Sequence, residues 1–134
     1  MLQIETCGFN KKEWDSIKDP DMITNKLRVA TVNHVFYIDV KDIVRIQSIS
    51  NYSKLIFTSG KSLLTAKVLA HFDSQLAGSH FVRIHRTHLV NLFCIKHYDR
   101  GNLSRIGLNN EEVLPVSRSR KKVLQREMRM LSLQ

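Results

Sequence analysis

Along most of the chain apolar and polar residues alternate with a two-residue period, which predicts strands with two unlike faces. Leu27 to Thr31 and Val35 to Ile38 are short apolar runs split by Asn33-His34, a hairpin-like pair of strands. Asp39 is suited to cap a single turn through Val40-Lys41-Asp42. Ile43 to Ile49 reads as the next strand, with Val44 and Ile46 on one face and Arg45 and Gln47 on the other. The polar turn formers Ser50-Asn51-Tyr52-Ser53 interrupt it. Lys54 to Thr58 resumes, Ser59-Gly60 turns, and Lys61 to Lys67 returns. Short strands joined by tight turns argue for antiparallel sheet, because parallel pairing needs long crossovers.

The spacing becomes helical at Val68 to Ala77, where Val68, Leu69, Phe72 and Leu76 share a face and Gly78 is placed as the stop. In residues 80–91, Val82 and Ile84 alternate with Arg83 and His85 as in a strand. Thr87 is then suited to cap a short helix that carries Leu89 and Val90 inward. Arg86 stands at that junction, held by backbone on both sides. Ile95 to Tyr98, Leu103 to Leu108 and Val113 to Val116 predict a meander turned at Arg100-Gly101-Asn102 and Asn109-Asn110. Pro115 has no amide to donate and fits an edge. A last helix is predicted from Ser117 or Ser119 to Leu131. Leu124, Met128 and Leu131 occupy one of its sides; Arg118, Lys122, Arg126 and Arg129 lie nearly opposite. The class is a mostly-β domain with short helices over residues 27–134, preceded by an extension, 1–26, with no sustained period.

A chain of 134 residues fits one domain. No apolar run approaches the roughly 20 residues that span a bilayer, and the polar start does not read as a signal peptide. Cys7 and Cys94 are isolated and outside any metal or redox spacing, so reduced thiols and a cytoplasmic location are expected. Charge changes the picture more. The net charge is +9, yet residues 1–26 are nearly neutral; from residue 27 on, 17 basic residues face 7 acidic ones. A domain this basic favours a polyanion, nucleic acid before others. Plain solubility is the bland alternative.

Two stretches carry a more specific signal: Phe81-Val82-Arg83-Ile84-His85-Arg86-Thr87-His88-Leu89-Val90-Asn91 and then Ile95, and, beyond a Gly101 hairpin, Leu114-Pro115-Val116-Ser117-Arg118. In that order they resemble the LytTR family of bacterial DNA-binding domains, over roughly residues 27–131. The resemblance implies an elongated arrangement of small antiparallel sheets with a C-terminal helix, reading duplex DNA from loops instead of a recognition helix. It further implies a transcription regulator, DNA bending, and two copies on direct repeats. Family members usually join this domain to a receiver of a two-component system or to a membrane segment. Neither fits here, so the chain is expected to be a stand-alone regulator or a portion of a longer one, with the initial Met favouring the former. A regulatory protein docking on residues 1–26 is one way to switch it.

Reading bases in the major groove needs paired donors, as arginine offers to guanine, or an amide, as asparagine offers to adenine. Asn51-Tyr52-Ser53-Lys54, Arg86 and Arg118 place such groups at element ends. Their positions resemble the family's base- and backbone-reading loops, so the resemblance assigns that role to Ser53 with its neighbours Asn51, Tyr52 and Lys54, to Arg86 and to Arg118. Lys122 and Arg126 on the last helix would neutralise phosphates. Plainer roles compete: Arg118 paired with a carboxylate at a helix start, Arg86 bridged to Asp99 or Glu111, Asn51 and Ser53 as turn formers, and helix cations simply solvated.

Other classes gain less. His85-x-x-His88 lacks a third ligand for zinc, and His85 reads better as a buried, hydrogen-bonded residue holding its turn. Asn91 reads as satisfying local backbone. No Ser or Cys nucleophile has a recognisable setting, no glycine-rich phosphate loop is present, and neither an enzyme nor a cofactor is expected. The last helix has a narrow apolar side without Trp or Phe, which argues against a membrane surface. A single-stranded RNA-binding module remains the alternative; it would need Tyr52, Tyr98 or Phe57 exposed on a sheet for stacking.

Overall fold

The computed structural model describes residues 26–101 and 103–132. The expectations for residues 1–25, including Cys7, and for Asn102 in its turn lie outside the described residues. Strands β1 (Lys26–Ala30) and β2 (Val35–Asp39) pair as a hairpin. A 3-10 turn, Val40–Asp42, leads to β3 (Ile43–Ile49). Asp39 precedes that turn without capping it; its carboxylate accepts instead from Lys26 Nζ. Next come β4 (Tyr52–Phe57), β5 (Ser62–Thr65) and helix α1 (Leu69–Gln75). Leu69, Phe72 and Leu76 are buried, whereas Val68, expected on the same face, is 52% exposed. It sits before the first turn in extended backbone, where helical spacing does not yet apply.

β6 (Phe81–His85) and β7 (His88–Asn91) form a hairpin turned at Arg86-Thr87. This corrects the short helix expected after Thr87. All four residues of β7 are buried, Leu89 in one core and Val90 in the other. A strand covered on both faces loses the alternation by which strands are recognised. After a 3-10 turn at Leu92–Cys94, β8 (Ile95–Tyr98), β9 (Arg105–Leu108) and β10 (Val113–Pro115) make the expected meander, with Pro115 on an edge strand. A 3-10 turn at Arg118–Arg120 opens helix α2 (Lys121–Ser132).

The central sheet has five antiparallel strands in the order β5-β4-β3-β7-β6. One face, with the β1–β2 hairpin and α1, buries Leu27, Ile46, Leu55, Phe72 and Leu89. The other face, with the β8–β10 sheet and α2, buries Val44, Ile84, Val90, Ile106 and Leu124. Val44 and Ile46 therefore point into opposite cores, against the alternation expected for β3. The ladder to β4 slips between Ile43 and Arg45. Such a bulge adds one residue and reverses the facing of those before it.

Candidate nucleic-acid interface

A row of register neighbours crosses one end of the central sheet. Lys54, Gln47, His88 and His85 stand side by side on β4, β3, β7 and β6. One step further out come Thr65, Ser53 and Ser48, and the Ser48 amide donates to the Thr87 carbonyl at 2.9 Å. Just beyond this row lie two turns, Ser50-Asn51 between β3 and β4 and Arg86-Thr87 between β6 and β7. The first is tight, with Ser50 in the left-handed region at φ 56°. On the flank of β6 the Ser117 amide donates to the Ile84 carbonyl at 2.8 Å, which seats Arg118 beside the same end. Sheet hydrogen bonds thus bring together three loci that are distant in sequence.

The Arg86-Thr87 turn is braced from several sides. Arg83 Nη2 donates to the Arg86 carbonyl at 2.8 Å. The Thr87 amide donates to His85 Nδ1 at 3.2 Å, and the Thr87 hydroxyl lies 2.8 Å from the same nitrogen. His85 therefore holds the turn, as expected, but from a half-buried position instead of a buried one. Arg86 and Arg118 are exposed, and neither guanidinium makes a hydrogen bond or ion pair among the described residues. Asp99 and Glu111 do not engage them; Glu111 meets Lys96 at 3.0 Å. Asn51 is exposed, Tyr52 is 48% exposed and Lys54 is half-buried. Lys122 and Arg126 are exposed on α2, Arg126 lying 3.8 Å from Glu127.

Ser53 does not join them. It is fully buried and donates its hydroxyl to the Lys67 carbonyl at 2.6 Å. Within β4 the inward positions are Ser53, Leu55 and Phe57, so alternation turns Ser53 away from the surface that Tyr52 and Lys54 share. This corrects its place among the DNA-contacting candidates.

Local electrostatics favour an anion. Residues 43–54, 80–98 and 113–126, which hold the three loci, contain ten Lys or Arg and no Asp or Glu. Among the described residues four acids meet basic residues of these segments: Asp73 lies 4.0 Å from Arg83, Glu111 3.0 Å from Lys96 and Glu127 3.8 Å from Arg126, while Glu112 is held twice, Arg45 Nε and Nη2 donating to its two carboxylate oxygens, each at 2.9 Å. Those hydrogen bonds hold the Glu112 carboxyl below its ordinary range, burial opposing. His88 is buried beside this pair and pushed down from 6.5 to about 4, first by burial and then by the Arg45 and His85 charges, with Glu112 opposing. Its Nδ1 has no hydrogen-bond partner among the described residues. Neither the Arg45–Glu112 pair nor the Arg83 brace follows from the sequence. A cation on an inward-facing strand position asks for a carboxylate, but not for one 67 positions away.

The other candidate chemistries are not assembled. Among the described residues no three His, Cys, Asp or Glu side chains are grouped to hold a metal. Phe57 is buried, while Tyr52 and Tyr98 belong to different sheets, so these three side chains do not form the stacking platform that the single-stranded RNA alternative needs. Asn91 is buried and serves backbone: Nδ2 donates to the Ile43 carbonyl at 2.9 Å and Oδ1 accepts from the Phe93 amide at 3.0 Å. Cys94 is a buried free thiol, pushed up by burial.

Comparison with known proteins gives the fold and site a place. The profile of the LytTr DNA-binding domain matches residues 33–129. The chain belongs to this family. Among curated relatives, two heme-containing CO-sensing transcriptional regulators of Paraburkholderia xenovorans, RcoM 1 and RcoM 2, are each 34% identical over 99 residues. That alignment covers 71% of this chain and 36% of each relative, so the chain spans about a third of their length. A solved LytTr DNA-binding domain from Bacillus cereus, of a protein described as a methyl-accepting/DNA response regulator, superposes with a TM-score of 0.65 at 18% identity. It covers 78% of this chain and 96% of that domain, and it shares the fold. As a LytTr domain the chain binds DNA. Among the described residues no helix is long and apolar enough to cross a membrane.

Proposed function

We propose that this LytTr domain binds duplex DNA sequence-specifically as the DNA-binding part of a bacterial transcription regulator. The observation that carries the reading is the seating of Arg86 and Arg118 at one end of the central sheet, exposed and unengaged among the described residues, by the Ser48–Thr87 and Ser117–Ile84 backbone hydrogen bonds. Asn51, Arg86 and Arg118 read base edges, Arg86 and Arg118 favouring guanine and Asn51 adenine. Tyr52 and Lys54 flank the first turn and contact backbone. Lys122 and Arg126 neutralise phosphates from α2, which positions the domain without selecting sequence. Two copies occupy direct repeats, and the protein acts in the cytoplasm, with its activity set by a protein partner or a segment outside residues 26–132.

Random-pool selection on duplex and single-stranded libraries identifies the target, and substitutions then separate the roles. Arg86→Ala and Arg118→Ala should each lower discrimination between selected and random duplex by about 1–3 kcal/mol. Lys122→Ala and Arg126→Ala should weaken all duplexes alike and flatten the salt dependence. Enrichment of a single-stranded RNA above every duplex would overturn the reading.

A further inference from the structure

A fourth element reaches the end of the sheet that carries these turns. The Thr65 hydroxyl donates to the Ala30 carbonyl at 3.1 Å, pinning the β1–β2 hairpin beside β5. Its tip, Thr31–His34, is held in shape: the Thr31 amide donates to the His34 carbonyl at 2.8 Å and the His34 amide to Thr31 Oγ1 at 3.2 Å. Val32 is 99% exposed, and Asn33 and His34 are exposed beside it. Across a mostly apolar cleft of about 560 Å³ stands Tyr52, next to Asn51. Residues 26–38 contain no carboxylate, and Lys67, just past β5, is exposed.

We propose that the Thr31–His34 tip and Tyr52 form a further contact on duplex DNA, seated on the sugar–phosphate backbone outside the bases read by Asn51. This rests on the base-reading role of the turns proposed above. Order along the sheet end sets the geometry. The tip lies at the β5 end of the sheet, over the face that its hairpin covers, the Ser50-Asn51 turn joins β4 to β3, the Arg86-Thr87 turn joins β7 to β6, and Arg118 lies outside β6. At about 4.8 Å per strand, β5 to β6 covers roughly 19 Å, or about 6 base pairs at 3.4 Å each. With Arg118 one more spacing outside β6, the track covers about 24 Å, most of the roughly 34 Å of one helical turn. A duplex lying along it must bring a backbone across an end of the track. The groups at the tip suit that backbone. The Asn33 amide, the His34 ring and the Tyr52 hydroxyl are donors for phosphate oxygens, and Val32 with the Tyr52 ring can cover the apolar side of deoxyribose.

The test uses the full chain carrying Val32→Ala, Asn33→Ala and His34→Ala together, with hydroxyl-radical footprints and affinities on the selected duplex and on a random one. Protection should vanish over one backbone segment at the Asn51 edge of the footprint. Affinity for both duplexes should fall alike by roughly 3- to 10-fold, the loss of one or two modest hydrogen bonds, with discrimination kept. A duplex trimmed at that edge should bind the native and substituted chains equally. An unchanged footprint and affinity overturns the proposal; so does a loss confined to DNA carrying two adjacent sites, which makes the tip a contact between protein copies. Arg86→Ala on the same duplexes is read separately. If it leaves discrimination intact, the base-reading proposal fails whatever the tip does.

Discussion

Arg83 illustrates how one residue can aim another. Its Nη2 donates to the Arg86 carbonyl, its Nη1 lies 4.0 Å from Asp73 on α1, and its Nε is buried without a partner among the described residues. A side chain spent in this way fixes where the Arg86 guanidinium starts and leaves it available for the base contact proposed above. Arg83→Ala should therefore lower discrimination between selected and random duplex by roughly 3- to 10-fold, in line with one lost hydrogen bond. Arg83→Lys should restore part of it. The salt slope separates this from direct phosphate contact, whose loss would reduce the slope by about 0.9; titrations at several salt concentrations should show no such change. The exposed placement of Arg86 and Arg118 at element ends was legible in the sequence because the change of pattern around them is a local signal. Ser53 was misplaced because the break before Lys54 lies one turn earlier: the chain reverses at Ser50-Asn51, and Tyr52 already begins β4. From there the pleat decides, and it points Ser53 inward.

Among elements, β3 does the most joining. It pairs with β4 on one side and β7 on the other, and its bulge lets Ile43 and Ile46 enter one core while Val44 enters the second. Arg45 adds a clamp from this strand to Glu112, which closes the β9–β10 connection. Arg45 is only 7% exposed, so losing its partner strands a charge. Glu112→Ala should destabilise the fold by about 3 kcal/mol, measured by urea denaturation. Adding Arg45→Met should recover much of that loss, and a double-mutant cycle that showed simple additivity would contradict the clamp. Element types were largely readable here: the first hairpin, β3, α1, the closing meander and α2 all follow from spacing and turn residues. β7 was not, because a short run buried on both faces carries no period, and Thr87 looks as fit to cap a helix as to close a hairpin. The facing of β3 was hidden for a different cause, since a bulge leaves no mark in apolar spacing.

For the molecule as a whole, one sheet is shared between two cores, so acid acts on the fold through the buried groups between them. His88 has a folded value near 4 against an ordinary 6.5. The unfolded chain therefore takes up this proton first as pH falls. The stability is complete above pH 6.5 and declines toward pH 4, by up to about 3 kcal/mol for this group. Glu112, held below 4.5, acts in the same direction: its contribution is present above that value and is lost on further acidification. Melting temperature should fall between pH 6.5 and 4, and His88→Leu should flatten that slope; a native slope unchanged by the substitution would remove His88 as its source. The mostly-β class and the basic surplus beyond residue 27 were open to sequence reading, because composition and period are summed over many residues. The meeting of three turns at one sheet end was not, since it depends on strand order.

Lys26 pairs with Asp39 at the foot of the first hairpin. The foot stands opposite its tip, separated by five residues of strand, or about 17 Å. Lys26 thus lies at the end of the hairpin away from the turns proposed above to meet nucleic acid. A signal passed in at that foot would have to travel the length of the hairpin before it could be felt at Arg86.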